Sequence, residues 1–568
     1  MKRAFPVAVL AAALVAAWLP LLAPATIAGH STLADLVRAE AIHAAVAGGD
    51  LWPAWLPDLY DRHGSPLPGF YAPLGYALVE VLRWATGDGG RALALAYLLL
   101  WGFGAAGAAV AARAAFGPGA GVSAAAAFAL APYLLADVYV RAGLAEFAAF
   151  ALLPWALAAL ARPGRWALAG GALALAALVL AHNVTGLLAA PALAALALAG
   201  PADGRRRGLA LVAAGLALSC FFWLPALAEK RLLWADESLT GGYFDYARHF
   251  VAPWDLLPGR TAVRLATGPH AEAAVRVGEL LWAGLIATAL LLRRLAGPVR
   301  RRAALYAAAA LGALAMASSL AAPLWRLAPP LAFVQFPFRF LLFATAFAAP
   351  LVGLAVTRAP ERWRAWLSAA TVALALLLAR PALDVRYLFL ERATLAPVPV
   401  PAAELARAAA DPGLGAAAGL ITIDAIRGAH WSGSAGHEYL PRTVTILPDG
   451  EPVAAASALT PGVRVVASGW AYPAEVRAEV DVTAPGEVAL AQFWFPGWRV
   501  EVDGRERAAA PEPGRGRIVV ALAPGERAVV ARFGPTPLRR AAALASALAA
   551  AALAAALLAS RRKGLPTA

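Results

Sequence analysis

The sequence predicts a polytopic α-helical membrane protein with about twelve transmembrane helices and a C-terminal extracytoplasmic β-sandwich domain. Of the 568 residues, 61% are hydrophobic and only 15% are charged, a composition typical of a chain that crosses a bilayer many times. The basic residues cluster at the ends of apolar runs, where they set the topology of a membrane protein. A stretch near the C-terminus instead alternates apolar and polar residues between turn residues, which indicates strands.

Charge and cysteine content exclude two other classes of protein. A net charge of +14 invites a nucleic-acid-binding interpretation, but the basic residues flank apolar runs instead of forming one face, so no nucleic acid is expected as a partner. The single cysteine, Cys220, lies in an apolar run. Disulfides and thiolate metal sites are therefore excluded.

Apolar runs that approach the roughly 20 residues of a spanning helix predict the transmembrane segments. They are residues 5–27, 92–112, 119–136, 144–161, 166–181, 184–200, 208–228, 277–292, 303–320, 339–357, 364–380 and 538–559. A further run, GFYAPLGYALVEVLRW at 69–84, is short and carries Pro73, Glu80 and Arg83. Only if this run does not cross the membrane do all basic clusters fall on the cytoplasmic side. We therefore predict an interfacial or re-entrant helix at 69–84.

The resulting topology places both termini in the cytoplasm and four segments outside, at 28–91, 137–143, 229–276 and 381–537. The segment 28–91 is called the first loop below. Residues 1–28 are expected to remain as an uncleaved span, and a cleaved signal peptide is the alternative. The Arg and Ala bias indicates a bacterial protein, located in the inner (plasma) membrane. The predicted domains are a transmembrane domain (1–384), a β-sandwich domain with its linker (385–537), and a last helix with a cytoplasmic tail (538–568).

The first loop combines charges with aromatic rings. Asp35, Arg38 and Glu40 begin a helix-like stretch just after the first span. The sequence that follows, DLWPAWLPDLYDRHGSPLPGFYAPL, is rich in Pro and aromatic residues. This composition is expected of an ordered loop at a membrane surface whose rings hold sugars, and an interfacial aromatic belt is the alternative.

Asp137, Arg141 and Glu146 lie close together between two apolar runs. An Asp/Arg pair that caps a helix end, with the arginine reaching the headgroups, is one interpretation. Glu146, however, lies inside the next apolar run, where an ionisable group is costly and usually faces a cavity or a partner. Other polar groups recur at the same predicted depth, namely His182, Asn183, Gln335 and Arg339. Together they predict a polar cavity that opens to the outer face at membrane depth.

The C-terminal segment alternates in short runs separated by Pro, Gly and Asp. The runs are RTVTILP, VRVVASG, EVRAEVDVT, EVALAQFWF, WRVEVDG, RIVVALA and RAVVARF, between residues 440 and 533. They predict an antiparallel β-sandwich. Residues 385–439 are expected to link it to the preceding span, with a helix at 401–410. Trp494 and Trp498 are suited to stacking on sugars, but core packing is the favoured interpretation.

This arrangement resembles the polytopic glycosyltransferases of the GT-C superfamily, and it is more similar still to the bacterial 6-pyruvoyl-tetrahydropterin-synthase-related and YfhO-like membrane proteins. The matching stretches occur in order along most of the chain. They are GHSTLADLVRAEAI, LWPAWLPDLYDRHGSPLPGFYAPLGY, DVYVRAGLAEFAAFALLP, AHNVTG, QFPFRFL, HEYLP and FWFPGWRVEVDG.

The resemblance implies roles for individual residues. In GT-C enzymes an acidic residue of the first loop deprotonates the acceptor hydroxyl, and basic residues hold the phosphate of a polyprenyl-phosphate sugar donor. The catalytic residues implied here are Asp35, which is the base, with Asp137 and Glu146. The implied substrate-binding residues are Arg38, Arg141, His182, Asn183, Gln335 and Arg339. Relatives often read Gly-His-Asp where this chain has Gly29, His30 and Ser31, so Asp35 stands one helical turn from the usual position.

A divalent cation is the one cofactor that the resemblance admits, because acidic residues of the second outer segment bind a metal or the acceptor in some relatives. No metal ligand is otherwise predicted. The sequence does not contain the three-histidine zinc site that a tetrahydropterin synthase needs.

The favoured function is a membrane glycosyltransferase that moves a sugar from a polyprenyl-phosphate donor to a cell-envelope glycan, lipid or protein. The alternative is a non-catalytic glycan- or lipid-binding protein, or a transport protein, of envelope polymer assembly, which the missing Gly-His-Asp favours. A transporter is expected to have repeated halves, and an ATP-driven one to have a Gly-rich phosphate loop. Neither pattern is found in the sequence.

Overall fold

The computed structural model describes residues 4–23, 26–265, 273–383, 385, 387–388, 390–391, 421–422, 437–448, 454–471 and 474–562. Its first helices are α1 (Ala4–Trp18), α2 (Thr32–Ala47), α3 (Leu59–Arg62), α4 (Pro73–Thr86), α5 (Gly89–Phe116), α6 (Gly121–Ala129), α7 (Pro132–Ala136), α8 (Leu144–Leu160), α9 (Arg165–Ala181) and α10 (Asn183–Ala199). The later ones are α11 (Ala202–Leu218), α12 (Cys220–Glu229), α13 (Ala235–Thr240), α14 (Glu279–Leu291), α15 (Gly297–Ala317), α16 (Ala322–Leu327), α17 (Phe340–Thr357), α18 (Glu361–Ala379) and α19 (Pro537–Arg562).

A helix or a bent pair of helices lies at each predicted span, and these segments differ in length. Within the described residues, five helical segments are long and apolar enough to cross a membrane: Ala4–Leu22, Gly89–Phe116, Pro337–Thr357, Glu361–Leu383 and Pro537–Ala559. Two bent pairs raise the number to seven, Pro118–Ala129 with Pro132–Arg141 at 42° and Ala202–Leu218 with Cys220–Leu232 at 68°. Helices α8, α9 and α10 are apolar but shorter, with 17 residues each. The chain is thus a membrane protein with several apolar helices, and the number of twelve spans stays a prediction.

The helix expected at residues 69–84 is present as α4. It has 14 residues, fewer than the roughly 20 that span a bilayer. Its charged side chains pair with α2, because Arg83 donates to Glu40 at 2.6 Å and Glu80 lies 3.0 Å from the His43 imidazole. Its place on the outer surface stays a prediction.

Close packing fixes helix α17 against its neighbours. A methyl group at Gly353 would lie 2.2 Å from the carbonyl oxygen of Ala120, so the two backbones approach as closely as small residues allow. Almost every side chain of α17 is buried. The helix begins directly after Arg339 and therefore gives this arginine a fixed position.

The C-terminal strands form the two-layered antiparallel sandwich that the alternation predicts. The strands are β7 (Ala456–Ala458), β8 (Val463–Ala471), β9 (Glu475–Val482), β10 (Gly486–Phe493), β11 (Trp498–Val502), β12 (Arg505–Arg507), β13 (Ala509–Pro511), β14 (Arg517–Leu522) and β15 (Ala528–Phe533). One sheet has the order β13-β14-β10-β7 and the other β12-β11-β15-β9-β8. Valines of both sheets share one core, for example Val488 and Val520 with Val480 and Val529. Residues 454–533 are called the β region below.

In the part of the chain that the structure describes, six short strands precede the β region: β1 (Thr26–Ile27), β2 (Val263–Leu265), β3 (Ala273–Val275), β4 (Tyr387–Leu388), β5 (Leu390–Glu391) and β6 (Ile421–Thr422). One expected strand is wrong. The run RTVTILP is irregular, because the amides of Thr445 and Ile446 both donate to the carbonyl of Gly514 instead of to successive residues of a ladder. The helix expected at 401–410 lies outside the described residues, and the division into domains stays a prediction.

The β region packs on the first loop. Trp55, only 1% exposed, donates through its indole to the Gln492 side chain at 2.6 Å. The Gln492 amide donates in turn to the carbonyl of Arg62, also at 2.6 Å. Phe493 and Phe495 belong to the same core cluster as the transmembrane helices. The described residues therefore form a continuous core from the helices into the β region.

Candidate active site

A cavity of about 1520 Å³ lies among the first loop, α10 to α12, the approach to α17, and Glu438 and Tyr439 of the segment before the β region. Its apolar lining comes mainly from α10, α11 and α12, with Leu187, Ala190, Pro191, Leu216, Phe222, Trp223 and Leu227. Its polar lining includes His30, Ser31, Arg38, Tyr71, Arg141, His182, Asn183, Gln335, Arg339, Glu438 and Tyr439. A large apolar pocket with convergent polar groups is the usual form of a ligand site.

Arg141 is placed by an unusual turn after α7. Residues Asp137–Arg141 form one turn of π-helix, which ends at Ala142 in a left-handed conformation. The amide of Gly143 then donates to the carbonyl of Asp137 at 3.0 Å. Within this turn Arg141 Nη1 lies 2.7 Å from Asp137 Oδ1. Single π turns of this kind occur frequently at functional sites.

Glu146, in the first turn of α8, joins two arginines. Its Oε2 lies 2.9 Å from Arg141 Nη1 and 3.0 Å from Arg339 Nε. Its Oε1 accepts a hydrogen bond from the Tyr133 hydroxyl at 2.6 Å. Asp137 and Glu146 are 2% and 3% exposed, and a carboxylate so buried is stable only with charged partners of this kind. We call Asp137, Arg141, Glu146 and Arg339 the arginine cluster.

Gln335 holds Arg339 from the other side. The Arg339 guanidinium donates through Nη1 to the Val334 carbonyl at 2.8 Å and to the Gln335 side chain at 3.1 Å. Gln335 has a left-handed backbone with φ of 63°, which costs about 1 kcal/mol or more in a residue other than glycine. Gln335, just before α17, is therefore a strained residue whose side chain orients Arg339.

Arg38 is held by a separate carboxylate on α2. Its Nη1 lies 3.3 Å from Asp35 Oδ1, and the Tyr76 hydroxyl donates to the same carboxylate oxygen at 2.6 Å. The guanidinium lies over the Tyr71 ring, with 4.5 Å to the ring centroid. Burial raises the pKa of Asp35, and the charge of Arg38 opposes this shift. Asp35 thus serves as a buried counter-ion that orients Arg38.

His182 and Asn183 lie at the turn between α9 and α10. His182 Nδ1 is 2.8 Å from the Thr185 hydroxyl, and the ring meets Tyr71 edge-on at 6.5 Å. The Asn183 side chain donates to the carbonyl of Phe70. The turn is therefore attached to the first loop, directly beside Tyr71.

The structure separates the predicted residues into two groups. All six predicted substrate-binding residues line the cavity: Arg38, Arg141, His182, Asn183, Gln335 and Arg339. The three predicted catalytic carboxylates, Asp35, Asp137 and Glu146, are not among the described residues that line it. Each of the three pairs with an arginine that does. The role of Asp35 as the base stays a prediction, as do the other assigned roles.

Sequence reasoning assigned no role to five residues among the charged and histidine side chains of the described lining, namely Lys230, Arg248, His249, His30 and Glu438. The first three lie in the polar segment after α12, where charges are ordinary. Glu438 belongs to the stretch HEYLP, which is one of the stretches that carry the family resemblance. That motif was the available signal for Glu438.

The predicted carboxylates do not suit a divalent cation. Asp137 and Glu146 both lie within 3 Å of Arg141 Nη1, so a positive charge already occupies the place that a metal would take. Among the described residues, no group of three or more His, Cys, Asp or Glu side chains is arranged to hold a metal ion. We therefore derive no step through a metal.

No protein-family model matches the chain, and no curated protein has a significantly similar sequence, so the YfhO-like assignment is not confirmed. Arabinofuranosyltransferase AftD from Mycobacteria has 19% identity and a TM-score of 0.45, with 67% of this chain and 26% of AftD covered. ArnT from Cupriavidus metallidurans bound to undecaprenyl phosphate has 16% identity and a TM-score of 0.38, with 66% of this chain and 73% of ArnT covered. The chain therefore spans about a quarter of the length of AftD.

Proposed function

We propose that the protein is a membrane glycosyltransferase that transfers a sugar from a polyprenyl-phosphate donor to a cell-envelope acceptor on the outer face of the bacterial inner membrane. The observation that carries the proposal is one cavity whose wall contains both fixed arginines and a long apolar surface. A sugar linked through phosphate to a prenyl chain needs both kinds of wall in one site.

The arginines suit the donor phosphate. Arg141 lines the cavity and is held by Asp137 and Glu146, which lie 2.7 and 2.9 Å from its Nη1. Arg339 and Arg38 line the same cavity. Guanidinium groups bind phosphate oxygens in pairs of parallel hydrogen bonds. Because buried carboxylates already fix these side chains, little conformational entropy is lost when the phosphate binds.

The apolar lining suits the prenyl chain. Helices α10, α11 and α12 contribute mainly aliphatic and aromatic side chains to the cavity. Burial of each methylene stabilises a bound lipid by about 0.8 kcal/mol. A sugar alone would gain little from such a wall, so the wall favours a lipid-linked donor over a soluble one.

The arginines also support the chemistry. When the bond between the sugar and the phosphate breaks, negative charge develops on the departing phosphate oxygen. Fixed cations at that place stabilise the transition state more than the ground state. The same groups therefore serve both donor binding and departure of polyprenyl phosphate.

Transfer of radiolabel from a panel of polyprenyl-phosphate sugars tests the proposal in membranes that contain the full chain. We expect the wild type to move label to an envelope acceptor. Arg339→Lys keeps the charge but not the two parallel donors, so the KM for the donor should rise about tenfold or more. Arg276→Lys is the matched control, because Arg276 is about half exposed and pairs only with the nearby Glu279 among its described contacts.

The alternative function, a binding or transport protein of envelope assembly, has one observation in its favour. Asp35, the carboxylate in the family's usual region, is not among the described lining residues. Binding of a polyprenyl-phosphate sugar without turnover, lost in Arg339→Ala, would establish this alternative. Absence of both binding and turnover for the whole panel would reject the proposed donor class.

A further inference from the structure

We propose that Glu438, on the segment before the β region, is the catalytic base that deprotonates the acceptor hydroxyl; the inference rests on the proposed glycosyltransferase function. Glu438 is 7% exposed and lines the cavity. It is the only Asp or Glu among the described lining residues. The base would then come from a part of the chain that lies some 400 residues away from Asp35.

The segment that carries Glu438 is attached firmly to the helical part. The amide of Trp234 donates to the Leu440 carbonyl at 3.1 Å, and the amide of Arg442 donates to the Leu232 carbonyl at 2.8 Å. The Arg442 guanidinium also pairs with Glu237 on α13. These bonds anchor the residues just after Glu438 to the segment between α12 and α13.

A tight turn points this part of the chain into the first loop. His437 is left-handed with φ of 56°, and the amide of Leu440 donates to its carbonyl at 2.9 Å. The His437 ring packs on Tyr60 and the Tyr439 ring packs on Tyr71, each at 5.8 Å between centroids. Glu438 is therefore held between two aromatic contacts, and strained residues persist only where the surroundings fix them in this way.

The charges near Glu438 suit a base that acts beside a phosphate. Tyr439, the next residue after Glu438, packs on Tyr71 at 5.8 Å, and the Arg38 guanidinium lies 4.5 Å from the centroid of the Tyr71 ring. Glu438 therefore lines the same cavity as Arg38 and Arg339. The other candidate carboxylates, Asp35, Asp137 and Glu146, are bound directly to arginines, and none of the three is among the described residues that line the cavity.

The step balances without any further reactant. The acceptor hydroxyl oxygen attacks the anomeric carbon of the sugar, and its proton passes to the Glu438 carboxylate. The bond between the anomeric carbon and the donor phosphate oxygen breaks, and its electron pair leaves with polyprenyl phosphate, which the arginines hold. The proton then passes to solvent, which restores the carboxylate.

The test compares Glu438→Gln, Asp35→Asn and the wild type in reconstituted membranes, with the polyprenyl-phosphate sugar that the wild type uses. We expect Glu438→Gln to lower kcat by 10²- to 10⁴-fold and to leave the donor KM within threefold of the wild type. A purely structural role would instead disturb donor binding. Glu279→Gln, a partly exposed glutamate outside the cavity, is the matched control and should keep the wild-type rate.

A second variant keeps the test decisive if the glutamine variant does not insert. Glu438→Asp keeps the charge and moves the carboxylate back by one methylene, so kcat should fall about 10- to 100-fold with an unchanged donor KM. Wild-type rates in Glu438→Gln or Glu438→Asp would overturn the inference and leave the proposed function standing. A selective loss in Asp35→Asn would assign the base to Asp35. A wild type that turns over no donor would reject the proposed function, and this inference with it.

Discussion

At the scale of single residues, Arg141 is the most connected group of the site. One guanidinium nitrogen lies within 3 Å of two carboxylates from different elements. Because Asp137 and Glu146 are only 2% and 3% exposed, the three charges are stable only together. The residue that we assign to phosphate binding therefore also supports the fold around it.

Arg141→Ala should consequently lower the free energy of unfolding by about 3–5 kcal/mol, because it leaves buried carboxylates uncompensated. Asp137→Asn added to Arg141→Ala should recover part of this loss, since it removes one of the unpaired charges. Unfolding in detergent micelles measures all three variants. Losses that add within about 0.5 kcal/mol would show that the two residues are not coupled.

The sequence identified the arginine cluster and the other polar groups because an ionisable or polar side chain is conspicuous inside an apolar run. It could not show which of these side chains face the cavity. Asp137 and Arg141 are separated by about one helical turn. The sequence did not predict the π turn that contains both residues. In the structure Arg141 lines the cavity, whereas Asp137 is not among the described lining residues. Glu438 was not assigned because a glutamate in a polar segment is ordinary.

At the scale of elements, the contact between the start of α2 and the π turn positions part of the polar lining of the cavity. The amides of His30 and Ser31 donate to the carbonyls of Val140 and Arg141 at 3.0 and 2.9 Å. These bonds need a close approach at Gly29, where a Cβ would lie 2.3 Å from the Ala142 Cβ. Position 29 therefore requires a glycine, because a larger side chain would collide with Ala142.

Gly29→Ala should therefore separate α2 from the π turn and lower the free energy of unfolding by about 1–3 kcal/mol. Donor binding should weaken in parallel, because Arg38 and Arg141 move apart. Thermal unfolding in detergent and donor binding measure the two effects. Gly204→Ala, where no heavy atom lies within 4 Å of the added methyl, is the control, and an equal effect there would contradict the argument.

Elements differ in how far the sequence determines them. Strict alternation predicted the strands of the β region, because a period of two is specific to a half-buried strand. Apolar runs predicted where helices occur, but not where they bend. The interruptions at residues 130–131 and at Ser219 divide two expected spans into bent pairs, and such breaks depend on packing against neighbours.

At the scale of the whole molecule, the first loop and the β region are joined by a buried polar contact around His63. The Phe493 amide donates to the His63 carbonyl at 2.6 Å, and the two rings stack at 5.2 Å. Burial lowers the pKa of His63 from its ordinary value of 6.5, and the hydrogen bond to the Tyr60 carbonyl opposes the shift. The neutral imidazole is therefore the form that fits this interface.

The pKa of His63 is lower in the folded protein than in the unfolded chain. The contribution of the neutral His63 to the free energy of unfolding is therefore complete above pH 6.5. This contribution is lost as the pH falls through the pKa of the folded protein. The slope is at most about 1.4 kcal/mol per pH unit. Unfolding free energies from about pH 8 to about pH 5 should therefore fall more steeply in the wild type than in His63→Gln. Identical curves for wild type and His63→Gln would refute the prediction.

The last strand and the last helix are separated by only three residues, Gly534–Thr536. Immediately beyond them Arg539 pairs with Glu229 at 2.7 Å, and the β region is also attached to the first loop, where the Trp55 indole donates to Gln492. A lid needs a flexible hinge that absorbs a change of backbone angles, and neither attachment offers one. The β region is therefore held in place at both contacts, and we expect the proposed lipid-linked donor to enter the cavity between helices while the β region keeps its position.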